Sequence, residues 1–496
     1  MKLPVQPVVP GFHPDPSVCR VGDDYYLACS SFEYAPGVPI HHSTDLRTWR
    51  RIGHALARPA QLPLEGVEPS AGILAPTLRH HAGRYWMVTT LLSGGPRVFL
   101  VTADDPAGPW SEPVWIPEAR GIDPDLAWDD DGTCLLTWTR FGEGIVQAAL
   151  DPRTGELLDE PRRLWQGTGG KFPEGPHLHR VGAYWYLLLA EGGTERGHAV
   201  TIARAPSPAG PFEACPHNPL LTARGTGAPV QSTGHADLVQ RPDGTWAMVY
   251  LGTRPRGSSP EWHVLGRETF AAEVSWSDGW PAVAGPIEPD APAEAVEDLP
   301  EATLPPAWVA PGAFPDALLS WTDRGWRLTA ADGPAFVGRR QEHLHMRARA
   351  VVAPPPQRPE EEATGAGGLE LRIDSRHAVR IEVRGSRVRA LAVIGGASVL
   401  LGETAATPET VLELRAEPHS APSPFGVAMG PDELVAGVSG PDGFRELGRV
   451  DGRYLSTEVA AGMTGRMIGL VCSEGDMLFR SFTYSGADDP KALFED

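Results

Sequence analysis

Asp15-Pro-Ser-Val18, continued by a turn at Gly22 and the run Tyr25-Tyr26-Leu27, is the first of five versions of one phrase. The second is Ala75-Pro-Thr-Leu78 with Gly83 and Tyr85-Trp86-Met87, and the third is Asp123-Pro-Asp-Leu126 with Gly132 and Leu135-Leu136. The fourth is Gly175-Pro-His-Leu178 with Gly182 and Tyr184-Trp185-Tyr186, and the fifth is His235-Ala-Asp-Leu238 with Gly244 and Trp246-Ala-Met248. Each reads as an extended apolar stretch, a Gly-containing turn and a second strand. The turn glycines lie 61, 49, 50 and 62 residues apart, a period that suits one four-stranded blade and predicts a five-bladed β-propeller.

Aligning the phrases on Val18, Leu78, Leu126, Leu178 and Leu238 brings Asp15, Ala75, Asp123, Gly175 and His235 into one register. Equivalent positions on innermost strands ring the axis, so these five residues are expected to face one another at one mouth of the channel. Glu174 stands one residue before the register and reaches the mouth only if the backbone kinks, which Pro173 and Pro176 favour. Asp125 lies two residues beyond Asp123, on the same face by strand alternation but deeper along the channel.

The length of 496 residues exceeds one ordinary core. Around residues 289–313 the texture turns to Pro, Ala and acids, which predicts a propeller over 1–288, a linker or side strap over 289–313 and a second domain over 314–496. Alternating stretches at 369–373, 378–383, 388–393, 410–415 and 467–471 lack the blade phrase and suit a two-sheet, jelly-roll or lectin-like β-sandwich. The proline-rich stretch 354–362 reads as an exposed loop within it. No segment sustains helical periodicity, so the fold class is all-β.

With 63 acidic against 43 basic residues, the net charge of −20 argues against nucleic acid and anionic membranes as partners. Five scattered cysteines without a Cys-x-x-Cys pair speak against a disulfide framework or a zinc site. The proline-interrupted start, Met1-Lys-Leu-Pro4, lacks the apolar segment of a signal peptide. A cytoplasmic location is the expectation, and a homo-oligomer is compatible with all of this.

An Asp beside Pro is ordinary in turns, where it caps backbone N–H groups. The weight lies on the coincidence of register that gathers Asp15, Asp123 and Glu174 at one mouth. Two carboxyl groups across a narrow cleft are the equipment of glycoside hydrolysis, and a third raises its neighbour's pKa. Register alone does not divide the three tasks. A non-catalytic carbohydrate-binding propeller is the competing class, and it would leave these axial positions bland.

Gly11-Phe-His-Pro-Asp15-Pro-Ser, Ser30-Ser-Phe-Glu-Tyr34, Gly121-Ile-Asp123-Pro, Phe172-Pro-Glu174-Gly-Pro-His177, Gly234-His235-Ala-Asp-Leu and Gly266-Arg267-Glu-Thr269 resemble the motif series of glycoside hydrolase family 43. The resemblance is to the β-xylosidase branch with a C-terminal β-sandwich, and Gly338-Arg-Arg-Gln341 extends it into the second domain. It implies that Asp15 is the general base, Asp123 the residue that tunes the acid and orients substrate, and Glu174 the general acid. Inversion would follow, with acid and base about 6.5–9.5 Å apart.

The implied activity is exo-hydrolysis of terminal β-D-xylose from short xylo-oligosaccharides, a step of xylan degradation. An α-L-arabinofuranosidase or a bifunctional enzyme is the rival. Arg267 is implied as a substrate-orienting group, whereas His235 reads equally as a site residue or a hydrogen-bonded core histidine. Phe32 reads as a sugar platform or a core residue. No cofactor is required; some relatives hold calcium near the position of His235, but one imidazole does not make such a site. Leu74 stands where the family usually has tryptophan, which changes the wall beside the pocket.

Overall fold

Strand pairing reproduces the phrase alignment residue for residue. Val18 pairs with Leu27, Leu78 with Met87, Leu126 with Leu136, Leu178 with Leu187 and Leu238 with Met248, each across an antiparallel ladder. All five anchor residues are at most 3% exposed, so the apolar position that defines the phrase is a core position each time. The computed structural model describes residues 3–290, 294–330, 333–352, 365–407, 410–420, 424 and 426–494. The chain divides into two compact units, Met1–Arg254 with Arg267–Asp290, and Pro255–Gly266 with Ala291–Asp496.

In the first unit, the strands Ser17–Val21, Thr77–His81, Ile122–Trp128, Glu174–Val181 and Gln231–Gln240 each open one antiparallel sheet. These innermost strands contact one another in sequence, and the last returns to the first, closing a ring. That is the propeller, and it puts the N-terminal ends of all five strands at the same mouth. Val9 bridges to Thr269, so the chain's beginning is stitched to the fifth sheet. Between the sheets lie apolar clusters such as Val88, Leu100, Leu126, Leu136 and Trp138, the burial that supplies most of the driving force.

The second unit packs two antiparallel sheets face to face. One contains His345–Val352, Val411–Glu417, Glu433–Gly440 and Asp476–Ala487, the other Ala335–Arg340, Ala366–Asp374, His377–Arg384 and Met467–Glu474. Leu369, Ile381, Leu414, Leu434, Leu470 and Phe479 fill the space between, which makes a β-sandwich. Glu294–Asp298, within the stretch read from sequence as a linker or strap, is a strand paired with Asp476–Ala487. The stretch 354–362 lies outside the described residues. Among the described residues no helix is long and apolar enough to cross a membrane.

Candidate active site

Four of the five register positions share an uncommon backbone conformation. Asp15, Asp123, Gly175 and His235 have φ of 56°, 53°, 60° and 46°, in the left-handed region that side-chain-bearing residues rarely enter. The ladders slip at the same places, between Ile122 and Asp125, Glu174 and His177, and Gly234 and Asp237. A bulge re-aims side chains at the end of a strand. In the fourth sheet it takes up the one-residue offset of Glu174. Gly175 carries no side chain there, and a Cβ would lie 2.9 Å from the His235 ring.

Asp15 is 6% exposed and receives a hydrogen bond from Ser30 Oγ (2.5 Å) and one from Arg267 Nη1 (2.9 Å). His235 Nδ1 lies 3.5 Å from the same carboxylate. Burial alone would raise the Asp15 pKa, but Arg267, His235 and the Ser30 hydroxyl together hold it below its ordinary value. Arg267 also donates to Thr194 Oγ1 at 3.3 Å, which fixes the guanidinium beside the acid.

Asp123 and Glu174 go the other way. Burial, then the charges of Glu174 and Asp15, push Asp123 well above the usual carboxylate range, although the Gly175 N–H donates to its Oδ2 at 3.1 Å. Burial and the Asp15 charge raise Glu174 to about 7, against a pull from Arg267. The mouth therefore holds one carboxylate kept ionised and a pair of carboxyls that retains a proton near neutrality. Burial lowers His235 to about 4, so its imidazole is neutral there.

Below this layer lies a second one that the sequence reading missed. Arg79 donates through Nη2 to Asp125 Oδ1 (2.7 Å) and through Nη1 to Asp237 Oδ2 (2.8 Å), both acids being fully buried. Ser17 Oγ and the Val18 N–H also donate to Asp237, and the Leu178 N–H donates to Asp125. Asp125 thus belongs to a structural plug. The signal was present: Ser17, Asp125, His177 and Asp237 stand two residues after the register and Arg79 four after it.

Glu191 was missed as well. It is 2% exposed and accepts from the Thr168 N–H (2.7 Å), Thr168 Oγ1 (3.0 Å), the Gly170 N–H (2.8 Å) and Thr201 Oγ1 (2.6 Å). It clamps the loop that runs into Glu174. Phe32, read from sequence as a platform or a core residue, is 2% exposed and backs Arg267, whose Cζ lies 5.7 Å from its ring centroid. Leu74 is half-buried and bonded through its N–H to the Thr90 carbonyl at 3.0 Å.

Calcium does not fit this donor set. The charged or titratable groups that act on His235 include Asp15, His177, His198, Arg267 and Asp237; both acids are engaged by arginines, and calcium wants an oxygen cage. Among the described residues no group of three or more His, Cys, Asp or Glu side chains is arranged to hold a metal ion. Incubation with EDTA is accordingly expected to leave kcat/KM within ~2-fold, the scale of one weak contact. A larger loss, reversed by adding calcium, would show that the donor set has been misjudged.

Residues 5–281 match the sequence profile described as glycosyl hydrolases family 43. The chain belongs to that family. Residues 319–484 match the beta xylosidase C-terminal concanavalin A-like domain. The chain is 37% identical over 500 residues to a non-reducing end alpha-L-arabinofuranosidase of Bacteroides ovatus, spanning 94% of this chain and 90% of the relative. It is 36% identical to a beta-xylosidase of Bacillus subtilis over 71% of this chain and 74% of that one. The solved xylan beta-1,4-xylosidase of Bacillus halodurans superposes with a TM-score of 0.84 at 30% identity, covering 96% of this chain and 99% of the other. As a family 43 member the protein is a glycoside hydrolase, an all-β propeller followed by a concanavalin-like sandwich.

Proposed function

We propose that the protein is an inverting exo-glycosidase that releases terminal β-D-xylose from short xylo-oligosaccharides. The observation that carries this reading is the division of the mouth into an ionised Asp15 and a proton-retaining Asp123–Glu174 pair. Glu174 gives its proton to the glycosidic oxygen as the bond from that oxygen to the anomeric carbon breaks. A water oxygen bonds to the opposite face of the same carbon and its proton passes to the Asp15 carboxylate. The leaving sugar departs as an alcohol, and proton exchange with solvent restores both acids. Asp123 holds the pair's proton affinity high, and Arg267 keeps Asp15 oriented and ionised.

The buried Arg79 layer closes the channel two residues below Asp15 and Asp123, and exo action on a chain end is part of the proposal. Five buried cysteines, none of them in a disulfide among the described residues, support a reducing, cytoplasmic setting, where small oligosaccharides are the accessible substrates.

α-L-Arabinofuranosidase activity is the second reading. The Bacteroides ovatus relative named for it covers almost the whole chain, and a leucine, Leu74, stands where the family usually has tryptophan. Paired 4-nitrophenyl β-D-xylopyranoside and α-L-arabinofuranoside decide between them, the larger kcat/KM being expected on the xyloside. Proton NMR at early times is expected to show α-xylose as the first-formed anomer. A first-formed β anomer would mean retention and would remove Asp15 from the role of base.

A further inference from the structure

Exposure at the mouth falls in an ordered series. Asp15, Asp123 and Arg267 are 6%, 7% and 8% exposed, Glu174 is half-buried, and Phe172, two residues before it, is 66% exposed. On the reading given under Proposed function, the terminal sugar lies deep among the first three. The oxygen to be cleaved then lies at Glu174, and the leaving group points outward past Phe172.

Phe172 is an unusual residue to find there. Its φ is 52°, a strained value for a bulky side chain, and the following Pro173 restricts its backbone further. Such strain persists only where the surroundings enforce it. Here they do: Glu191 clamps Thr168 and Gly170, and the Gly192 N–H donates to the Lys171 carbonyl at 2.8 Å. The ring is set against Gly193, whose Cβ position lies 3.4 Å from Phe172 Cδ2. The next residue, Thr194, accepts from Arg267. Lys171 pairs with Glu195 and its Nζ stands over the ring, 5.9 Å from the centroid, so this pair attends one face while the ring as a whole stays 66% exposed.

An exposed aromatic ring on strained backbone adds little to folding, because it buries little apolar surface. We propose that Phe172 is the stacking platform for the leaving group, the pyranose or aryl ring on the far side of the bond that Glu174 cleaves. The clamped loop presents it pre-organised, which spares the ordering cost of binding. Its chemistry is recognition of a sugar ring's apolar face, with the Lys171–Glu195 pair beside it for hydroxyl groups.

The test compares Phe172→Ala and Phe172→Gly with the wild type on two substrates carrying the same glycone, a disaccharide and a glycosyl fluoride. Both variants are expected to lose about 10-fold in kcat/KM on the disaccharide, the order of one aromatic contact, and to stay within ~2-fold on the fluoride, which has no leaving ring. Phe172→Gly, freed of the left-handed strain, is expected to melt at the same temperature or higher. An equal loss on both substrates, no loss on either, or a lower melting temperature for Phe172→Gly would overturn the platform. Glu174→Gln measured in parallel keeps the two ideas apart. If it hydrolyses the disaccharide normally, the acid assignment fails, while the Phe172 ratio still stands or falls on its own numbers.

Discussion

Replacing Glu174 with glutamine is expected to lower kcat/KM on an unactivated disaccharide by about 10³-fold, within the range for loss of a general acid, while a glycosyl fluoride is hydrolysed nearly as before. Fluoride leaves without a proton; a sugar alkoxide does not. The pH profile carries the same signature. Glu174 must be protonated to act, and its pKa is raised to about 7, so the wild-type rate on the disaccharide falls as pH rises through about 7. Asp15 must be ionised, and it is held below its ordinary 3.8, so the acid limb lies below about pH 4. The wild type is expected to show no alkaline limb on the fluoride, and Glu174→Gln is expected to remove that limb from what remains of the disaccharide rate while keeping the acid one. An alkaline limb that survives would move the acid's role to the other member of the pair, Asp123.

Stability moves with the same proton. A carboxyl whose folded pKa lies at about 7, above its reference of 4.5, binds its proton more tightly in the folded chain. Its contribution is therefore complete below pH 4.5 and is lost as pH rises through about 7. At ~1.4 kcal/mol per unit this amounts to no more than about 3 kcal/mol, since Glu174 keeps some contact with solvent. Glu174→Gln is expected to melt higher than the wild type at pH 8 and to lose that advantage below pH 4.5, as read by calorimetry at the two pH values.

Much of this site was legible in the chain because a propeller converts sequence register into spatial proximity. Val18, Leu78, Leu126, Leu178 and Leu238 take the same place in five ladders, so Asp15, Asp123 and His235, at equal offsets, had to share a mouth. Glu174 needed a kink that sequence could only suggest; the left-handed Gly175 and the slipped ladder supply it. Phe32 had no periodic cue to separate platform from core; the ring packs against Phe12 and lies under the Arg267 guanidinium. Glu191 was invisible because its partners are backbone N–H groups of a loop, and their positions appear only once the loop is folded. Arg79 could have been found by reading the register two and four residues further.

Arg79→Met is expected to destabilise the propeller by about 3–5 kcal/mol, the cost of leaving buried charge uncompensated. The guanidinium touches Asp125, Asp237, Ser17 and His177, and Asp237 in turn takes hydrogen bonds from His179 and the Val18 N–H. Ser17 accepts from the Leu78 N–H, so this one layer ties all five innermost strands together. Burial would raise the Asp237 pKa, but Arg79, His177 and His179 hold it well below its ordinary value. That contribution is present at neutral pH and lost as pH falls through the folded pKa; without Arg79, Asp237 gains by taking up a proton. The deficit of Arg79→Met, measured by urea unfolding, is therefore expected to be largest at pH 7 and to shrink toward pH 4. Asp125→Asn and Asp237→Asn added to Arg79→Met are expected to restore part of it, because neutral amides leave no charge to compensate. A deficit that is the same at both pH values and untouched by the amides would mean that Arg79 acts by filling space.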